Sequence, residues 1–285
     1  MSAGLSRGRT FALTVLALLA FAGNSLLCRV ALRDTHVDPA TFTTARIISG
    51  ALVLWLVARA RGSTTVGSGN WFSAFALFAY AAGFSFAYLS LSAGTGALLL
   101  FGAVQATMIG YALYSGERLH GAQIAGLLLA LGGLAGLLLP GLTAPSPLGS
   151  ALMIGAGVAW GVYSLRGRSA GAPTRTTAEN FLRAVPFTLL LSAAALPWAA
   201  PDAVGIGYAI ASGGLTSGIG YAIWYSALRG LHATQAATVQ LSVPIIAALG
   251  GIAFLGEHLT PRLLIASVAI LGGIALVIFG KPHAR

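Results

Sequence analysis

The chain has 285 residues, of which 57% are hydrophobic and only 8% charged, with a formal net charge of +10. A soluble domain carries about a quarter charged residues, so this composition excludes a core bathed in water on all sides and fits one whose solvent is lipid. The basic residues stand singly or in pairs between apolar runs, which excludes a nucleic-acid surface, and the lone Cys28 excludes a disulfide frame or thiolate metal cluster.

A helix needs about 20 mostly apolar residues to cross the hydrocarbon core. Cutting the sequence at charges, prolines and Gly-rich breaks predicts ten such spans, joined by connectors too short for any soluble domain. The first, 11–32, is too long for the apolar region of a cleavable signal and carries Asn24, Ser25 and Cys28. The second, 39–58, carries Arg46. In the third, 71–92, Tyr80, Phe84 and Tyr88 fall at four-residue spacing on one helical face. Gln105 lies in the fourth, 95–115, which runs into Gly116-Glu117-Arg118-Leu119; the fifth, 121–139, contains Leu131-Gly132-Gly133. Trp160 and Tyr163 lie in the sixth, 147–165. The longest connector, with Arg166, Arg168, Pro173, Arg175 and Glu179, leads to the seventh, 178–196, which holds Arg183 and Pro186. Tyr221, Trp224 and Tyr225 lie in the eighth, 203–228. Gln240 and Pro244 lie in the ninth, 234–255, which runs into Gly256-Glu257-His258-Leu259. The tenth is 261–279. The 38 glycines are about twice ordinary usage. Pairs at helical spacing, Gly132 with Gly136, Gly157 with Gly161 and Gly214 with Gly218, predict close helix contacts.

Orientation follows from the Lys/Arg bias. Arg7, Arg9, Arg59, Arg61, Arg118, Arg166, Arg168, Arg175, Arg229, Lys281 and Arg285 collect on one side, against Arg33 and Arg262 in the connectors of the other, which predicts that both termini are cytoplasmic. Trp55 and Trp71 fall near one predicted interface and Trp198 near the other. The sequence also repeats. The Gly-Glu motif and the Leu-Gly-Gly triplet each recur 140 residues on, and Arg46 recurs as Arg183 and Ala22-Gly23-Asn24 as Ala159-Trp160-Gly161 after 137. The predicted units are 1–141 and 142–285. Five spans per unit is odd, so the two copies lie upside down relative to one another, an architecture of secondary transporters with substrate held between the repeats.

On these motifs the whole chain resembles the drug/metabolite transporter superfamily, in particular its ten-helix EamA-type exporters. The residues that carry the resemblance are Ala22-Gly23-Asn24-Ser25, Arg46, Arg183, the two Gly-Glu motifs and Pro244. The first half has no proline to match Pro244. Overall similarity is greatest to the YddG-type amino-acid exporters. The resemblance implies outward transport of small metabolites; fifteen of the sixteen basic residues are Arg, and with abundant Ala and Gly this points to a bacterial plasma or inner membrane, and no cofactor or nucleic-acid partner is expected.

The acidic residues and histidines all fall in connectors or at span ends. Proton and sodium relays place such groups at depth, so facilitated diffusion is expected. A cation drug pump is disfavoured, as is an intramembrane hydrolase, for which no catalytic set exists at depth. The candidate substrate-binding set is Asn24, Ser25, Tyr80, Phe84, Tyr88, Gln105, Trp160, Tyr163, Tyr221, Trp224 and Gln240. Each has two readings: interhelical packing, or a cavity whose amides and hydroxyls hold a zwitterion while rings contact its side chain. Neutral amino acids come first among solutes and other metabolites or drugs second; a non-transporting scaffold would show no flux. Arg46 and Arg183 are expected to snorkel to the interface rather than bind ligand. Glu117 and Glu257, each before a new helix, are expected to satisfy its free amides. Pro244 and Pro186 should kink their helices, as static bends or as rocking hinges.

Overall fold

The computed structural model describes residues 6–61, 67–116, 118–141, 143–167, 172–231 and 233–279, and every element among them is helical. In chain order these are α1 Arg7–Asp34, α2 Pro39–Ala60, α3 Trp71–Ala87, α4 Ala93–Tyr114, α5 Gly121–Leu138, α6 Pro147–Gly167, α7 Pro173–Ala194, α8 Ala203–Ala211, α9 Gly220–Leu228, α10 Ala233–Gln240, α11 Ser242–Leu255 and α12 Pro261–Phe279. A π-helical segment, Ser212–Ile219, joins α8 to α9. Helix therefore occupies each predicted span. Among the described residues seven helical stretches, α1, α2, α4, α5, α6, the α10–α11 stretch Gln235–Leu255 and α12, are long and apolar enough to cross a membrane, and α3 is a shorter apolar helix.

The helix starts are set by side chains that accept from the first free amides: Asp38 for α2, Asn70 for α3, Ser92 for α4 and Asp202 for α8. Both glycines of the repeated Gly-Glu motif take positive φ, 91° at Gly116 and 62° at Gly256, a conformation that turns the chain sharply after α4 and α11 and that glycine adopts without a steric penalty. Pro244 has no N–H, so the carbonyl of Gln240 is left without its helical donor, and the rod breaks at Leu241 between α10 and α11. Pro186, in contrast, sits within an uninterrupted α7.

Packing pairs α2 with α7, α3 and α4 with α6, α5 with α12, and α1 with α9, α11 and the π-helical segment. The outward faces are greasy, with Phe11, Leu182, Leu190, Ile265 and Val268 more than 60% exposed. The interior instead buries Asn24, Thr43, Ser85, Gln105, Asn180, Ser212 and Ser217. That inversion of the usual plan suits a lipid surround, in which polar groups gain by facing one another. Trp55, Trp71 and Trp198 are all exposed. Of the three glycine pairs, Gly157 lies against Leu100 and Ala103, Gly161 against Thr107, and Gly214 and Gly218 against Val53, but Gly132 and Gly136 face open space. The close approach of α5 to α12 is made by Gly126, Gly133 and Gly273 instead.

The bundle has two distinct ends. At one, the arginine-rich end, Arg61 meets Thr174 and the Ala222 carbonyl, and Gly230 packs on Thr10. At the other, Val37 packs on Gly205, the Asp38 carboxylate accepts from the Ala200 amide and Arg262 donates to the Leu139 carbonyl.

Candidate functional site

A cavity of about 490 Å³ lies among α1, α3, α4, α6, α7, the π-helical segment, α9 and α10. Its volume is in the range of small-molecule sites. Asn24, Ser25, Tyr80, Phe84, Gln105, Trp160, Tyr163, Tyr221, Trp224 and Gln240 all line it. Tyr88 does not. The helical phase that carries Tyr80 and Phe84 ends at Ala87, and Tyr88 caps α3 with its ring fully buried against Phe84 and its hydroxyl donating to the Ala93 carbonyl at 3.3 Å. Ser68, Asn70, Ser73, Arg166 and Pro173 also line the cavity, so it reaches the arginine-rich end.

Aromatic rings form one wall. Trp160 is the hub, with its ring centre 4.8 Å from Tyr80, 5.2 Å from Tyr163 and 5.3 Å from Tyr221, stacked on the last two. Phe21 meets Tyr221 and Trp224, both at 5.8 Å. A ring cage of this kind accepts apolar groups on its faces and cations over them.

Two polar clusters complete the lining. Asn24 donates from Nδ2 to the Tyr80 hydroxyl at 3.3 Å and accepts at Oδ1 from Ser212 at 2.7 Å and Thr216 at 3.2 Å. The π-helical turn makes this possible: the Ser-Gly-Gly-Leu-Thr-Ser-Gly run is a poor α-former, and its wider winding aims Ser212 and Thr216 at α1. In the second cluster the Thr177 and Tyr225 hydroxyls lie 2.8 Å apart, Asn180 donates to the Tyr163 hydroxyl at 3.4 Å and Asn180 Oδ1 accepts from the Asn70 amide at 3.0 Å. Sequence reasoning did not single out Thr176, Thr177, Asn180, Thr216 or Ser217. The available signal was their four-residue spacing, Thr176 with Asn180 and Ser212 with Thr216.

Beyond Ser25 and Leu100, away from the arginine-rich end, side chains gather in a clamp around Glu257. Its carboxylate accepts from the Ala93 amide at 2.8 and 3.1 Å and pairs with Arg29 Nε at 3.2 Å, and Arg29 Nη1 donates to the Tyr88 carbonyl at 2.8 Å. Arg33 adds a bond to the Leu255 carbonyl at 2.7 Å. Glu257 thus caps α4, in the other half of the chain, and not the helix that follows it. Thr260 already serves α12 by accepting from the Leu263 amide at 3.1 Å. Glu117 lies outside the described residues, as do Arg168, Lys281 and Arg285.

The two intraspan arginines part company. Arg183 bends back to the arginine-rich end, bonding the Glu179 carbonyl at 3.2 Å and carboxylate at 3.5 Å. Arg46 does not snorkel. It is 1% exposed, held inward because Tyr80 accepts from Nη2 at 2.9 Å and the Phe84 and Tyr80 rings lie 4.8 and 5.2 Å from its Cζ. Among the described residues no group of three His, Cys, Asp or Glu side chains could hold a metal ion.

Comparison with known proteins adds a lineage to this geometry. Residues 147–279 match the EamA-like transporter family. PA1977 of Pseudomonas aeruginosa, itself uncharacterised, is 56% identical over 95% of this chain and 94% of its own length. The threonine/homoserine exporter RhtA of Escherichia coli is 35% identical over 130 residues, 43% of this chain and 42% of that protein. RhtA of Salmonella typhimurium is 31% identical over 145 residues, 48% of each. Among solved structures that share the fold is a crystal structure with a TM-score of 0.67 over 95% of this chain and 98% of the other at 22% identity.

Proposed function

We propose that this chain, which belongs to the EamA-like transporter family and is a multi-pass membrane transporter rather than an enzyme, carries neutral and zwitterionic amino acids outward by alternating access. The observation that carries the reading is the cavity itself: amides, hydroxyls and rings line it, and none of its described lining residues is acidic. The side-chain amides of Asn24, Gln105, Asn180 and Gln240 suit both ends of a zwitterion, and the Trp160 cage suits an apolar or aromatic side chain. Similarity over 43% of the chain to a threonine/homoserine exporter and the sequence resemblance to YddG-type exporters support the amino-acid class. With no carboxylate in the cavity lining, passage follows the solute's own gradient.

Alternating access is supported by an asymmetry between equivalent residues. Arg29 and Arg166 stand 137 residues apart, the same offset as Arg46 and Arg183. Arg29 is locked into the Glu257 clamp, whereas Arg166 lies at the cavity mouth and donates to Ser73 at 3.2 Å and Asn70 at 3.5 Å. Repeat halves that take different conformations and exchange them would open and close the two ends in turn. With the arginine-rich end cytoplasmic, this conformation faces inward, in a bacterial inner membrane.

Counterflow into proteoliposomes preloaded with unlabelled amino acids tests the reading. Labelled neutral or aromatic amino acids should accumulate without an ion gradient, and Trp160→Ala should cut accumulation at least about tenfold, the effect of losing roughly 1.4 kcal/mol of binding. No accumulation by folded parent protein overturns the amino-acid assignment.

A further inference from the structure

Arg46 is the one described arginine wholly enclosed by the bundle, and its guanidinium is incompletely used. Nη2 donates to the Tyr80 hydroxyl at 2.9 Å, but Nε and Nη1 are buried without a hydrogen-bond partner. The described ion pairs involve Arg29, Arg33, Arg175 and Arg183, and none reaches Arg46. Two ring faces stabilise the cation in part. They supply no acceptor for the free N–H groups, and an arginine at this depth without an anion is costly.

What separates this cation from the cavity is a single layer of two side chains. Tyr80 and Phe84, whose rings cover the guanidinium, line the cavity on their other side. The Tyr80 hydroxyl that accepts from Arg46 also accepts from Asn24 Nδ2 at 3.3 Å, and Asn24 lines the cavity too. A second structural provision keeps Arg46 here: Gly213 of the π-helical segment lies on the Arg46 carbonyl, where any side chain would collide, so α2 is drawn close to the cavity wall.

We propose that Arg46 is the anion site of the cavity and takes the carboxylate of the transported solute, with Tyr80 as the donor met first and the unused guanidinium N–H groups engaged as the Tyr80 ring turns. The proposal rests on the transporter reading and sharpens it: the solute carries a carboxylate, and its ammonium and side chain remain toward Trp160 and the amides. Arginine suits the role because it stays charged when buried and its donors match carboxylate oxygens.

The test measures binding, so that it stands apart from transport. Phenylacetate and phenylacetamide have nearly the same shape and differ in charge. Each is titrated against purified protein in detergent, read by quenching of tryptophan fluorescence and by thermal shift. The parent should bind phenylacetate at least about tenfold more tightly than the amide, which corresponds to roughly 1.4 kcal/mol. Arg46→Met should bring the ratio to about one and Arg46→Lys to an intermediate value, because a point charge keeps attraction but not fit. Trp160→Ala should weaken both compounds alike. A parent ratio near one, no binding of either compound, or a ratio that survives in Arg46→Met overturns the proposal; where Arg46→Met does not fold, a parent-like ratio in Arg46→Lys does so. A held ratio with failed counterflow leaves the anion site standing and removes only the amino-acid assignment.

Discussion

Replacing Glu257 by Gln should loosen the shut end of the bundle, and the size of the effect can be worked from the clamp. The carboxylate serves the first amide of α4 at 2.8 Å and Arg29 at 3.2 Å, with side chains only 10% and 14% exposed. Glutamine keeps the shape but loses the charge, so a helix-capping contact worth about 1 kcal/mol is weakened. The full 3–5 kcal/mol of a broken buried pair does not apply, because Arg29 keeps the Tyr88 and Leu89 carbonyls as acceptors. A loss of about 2 kcal/mol remains, roughly thirtyfold in the ratio of open to shut. The reporter is already present. Cys28 is the single cysteine, fully buried, one residue before Arg29. In proteoliposomes, its reaction with an impermeant maleimide should quicken by about ten- to thirtyfold in Glu257→Gln. Folded variant protein whose Cys28 reacts within about threefold of the parent rate would refute the argument that this clamp holds the end closed.

Close packing and pH give two further predictions. A Cβ at Gly157 would sit 2.6 Å from the Leu100 carbonyl and from Ala103, so Gly157→Leu should cost about 1–3 kcal/mol and lower the thermal midpoint in detergent. Gly155→Leu, with nothing within 4 Å, should leave that midpoint unchanged. Burial raises the Asp38 carboxyl, but the bonds from Thr41, Ala200 and Ala40 pull it further down, to a net value below the usual one. Asp38 should therefore stabilise the fold fully above the unfolded-state value near 4, with the contribution lost as pH falls through the lower folded value. An acid titration of stability in which Asp38→Asn loses no more and no less than the parent would count against this.

Much of the lining of the candidate cavity was legible because lipid simplifies the code. Polar and aromatic side chains inside an apolar span have few places to go, so Asn24, Trp160, Tyr221 and Gln240 could be assigned to the interior from position alone. Legibility failed where the outcome depended on a partner distant in sequence. A glutamate ahead of a helix is by default read as that helix's cap. Only the fold shows that Thr260 has taken that place and that Glu257 reaches Ala93. Arg46 had the length to reach an interface, and what holds it inward is a pair of rings on another helix. Thr176 and Thr177 were hidden by their neighbours: the charge at Arg175 made the stretch look like a connector, when α7 had already begun at Pro173; Asn180 lay inside the predicted seventh span but beside the charged Glu179.

The reach of Glu257 across 164 residues has a consequence for biogenesis. The Ala93 amide that opens α4 receives its acceptor only when the chain has been made as far as Glu257. Until then the partner of that amide must come from water or from a lipid headgroup. A ribosome that releases the chain before this turn leaves a membrane protein whose first half is threaded but unfinished.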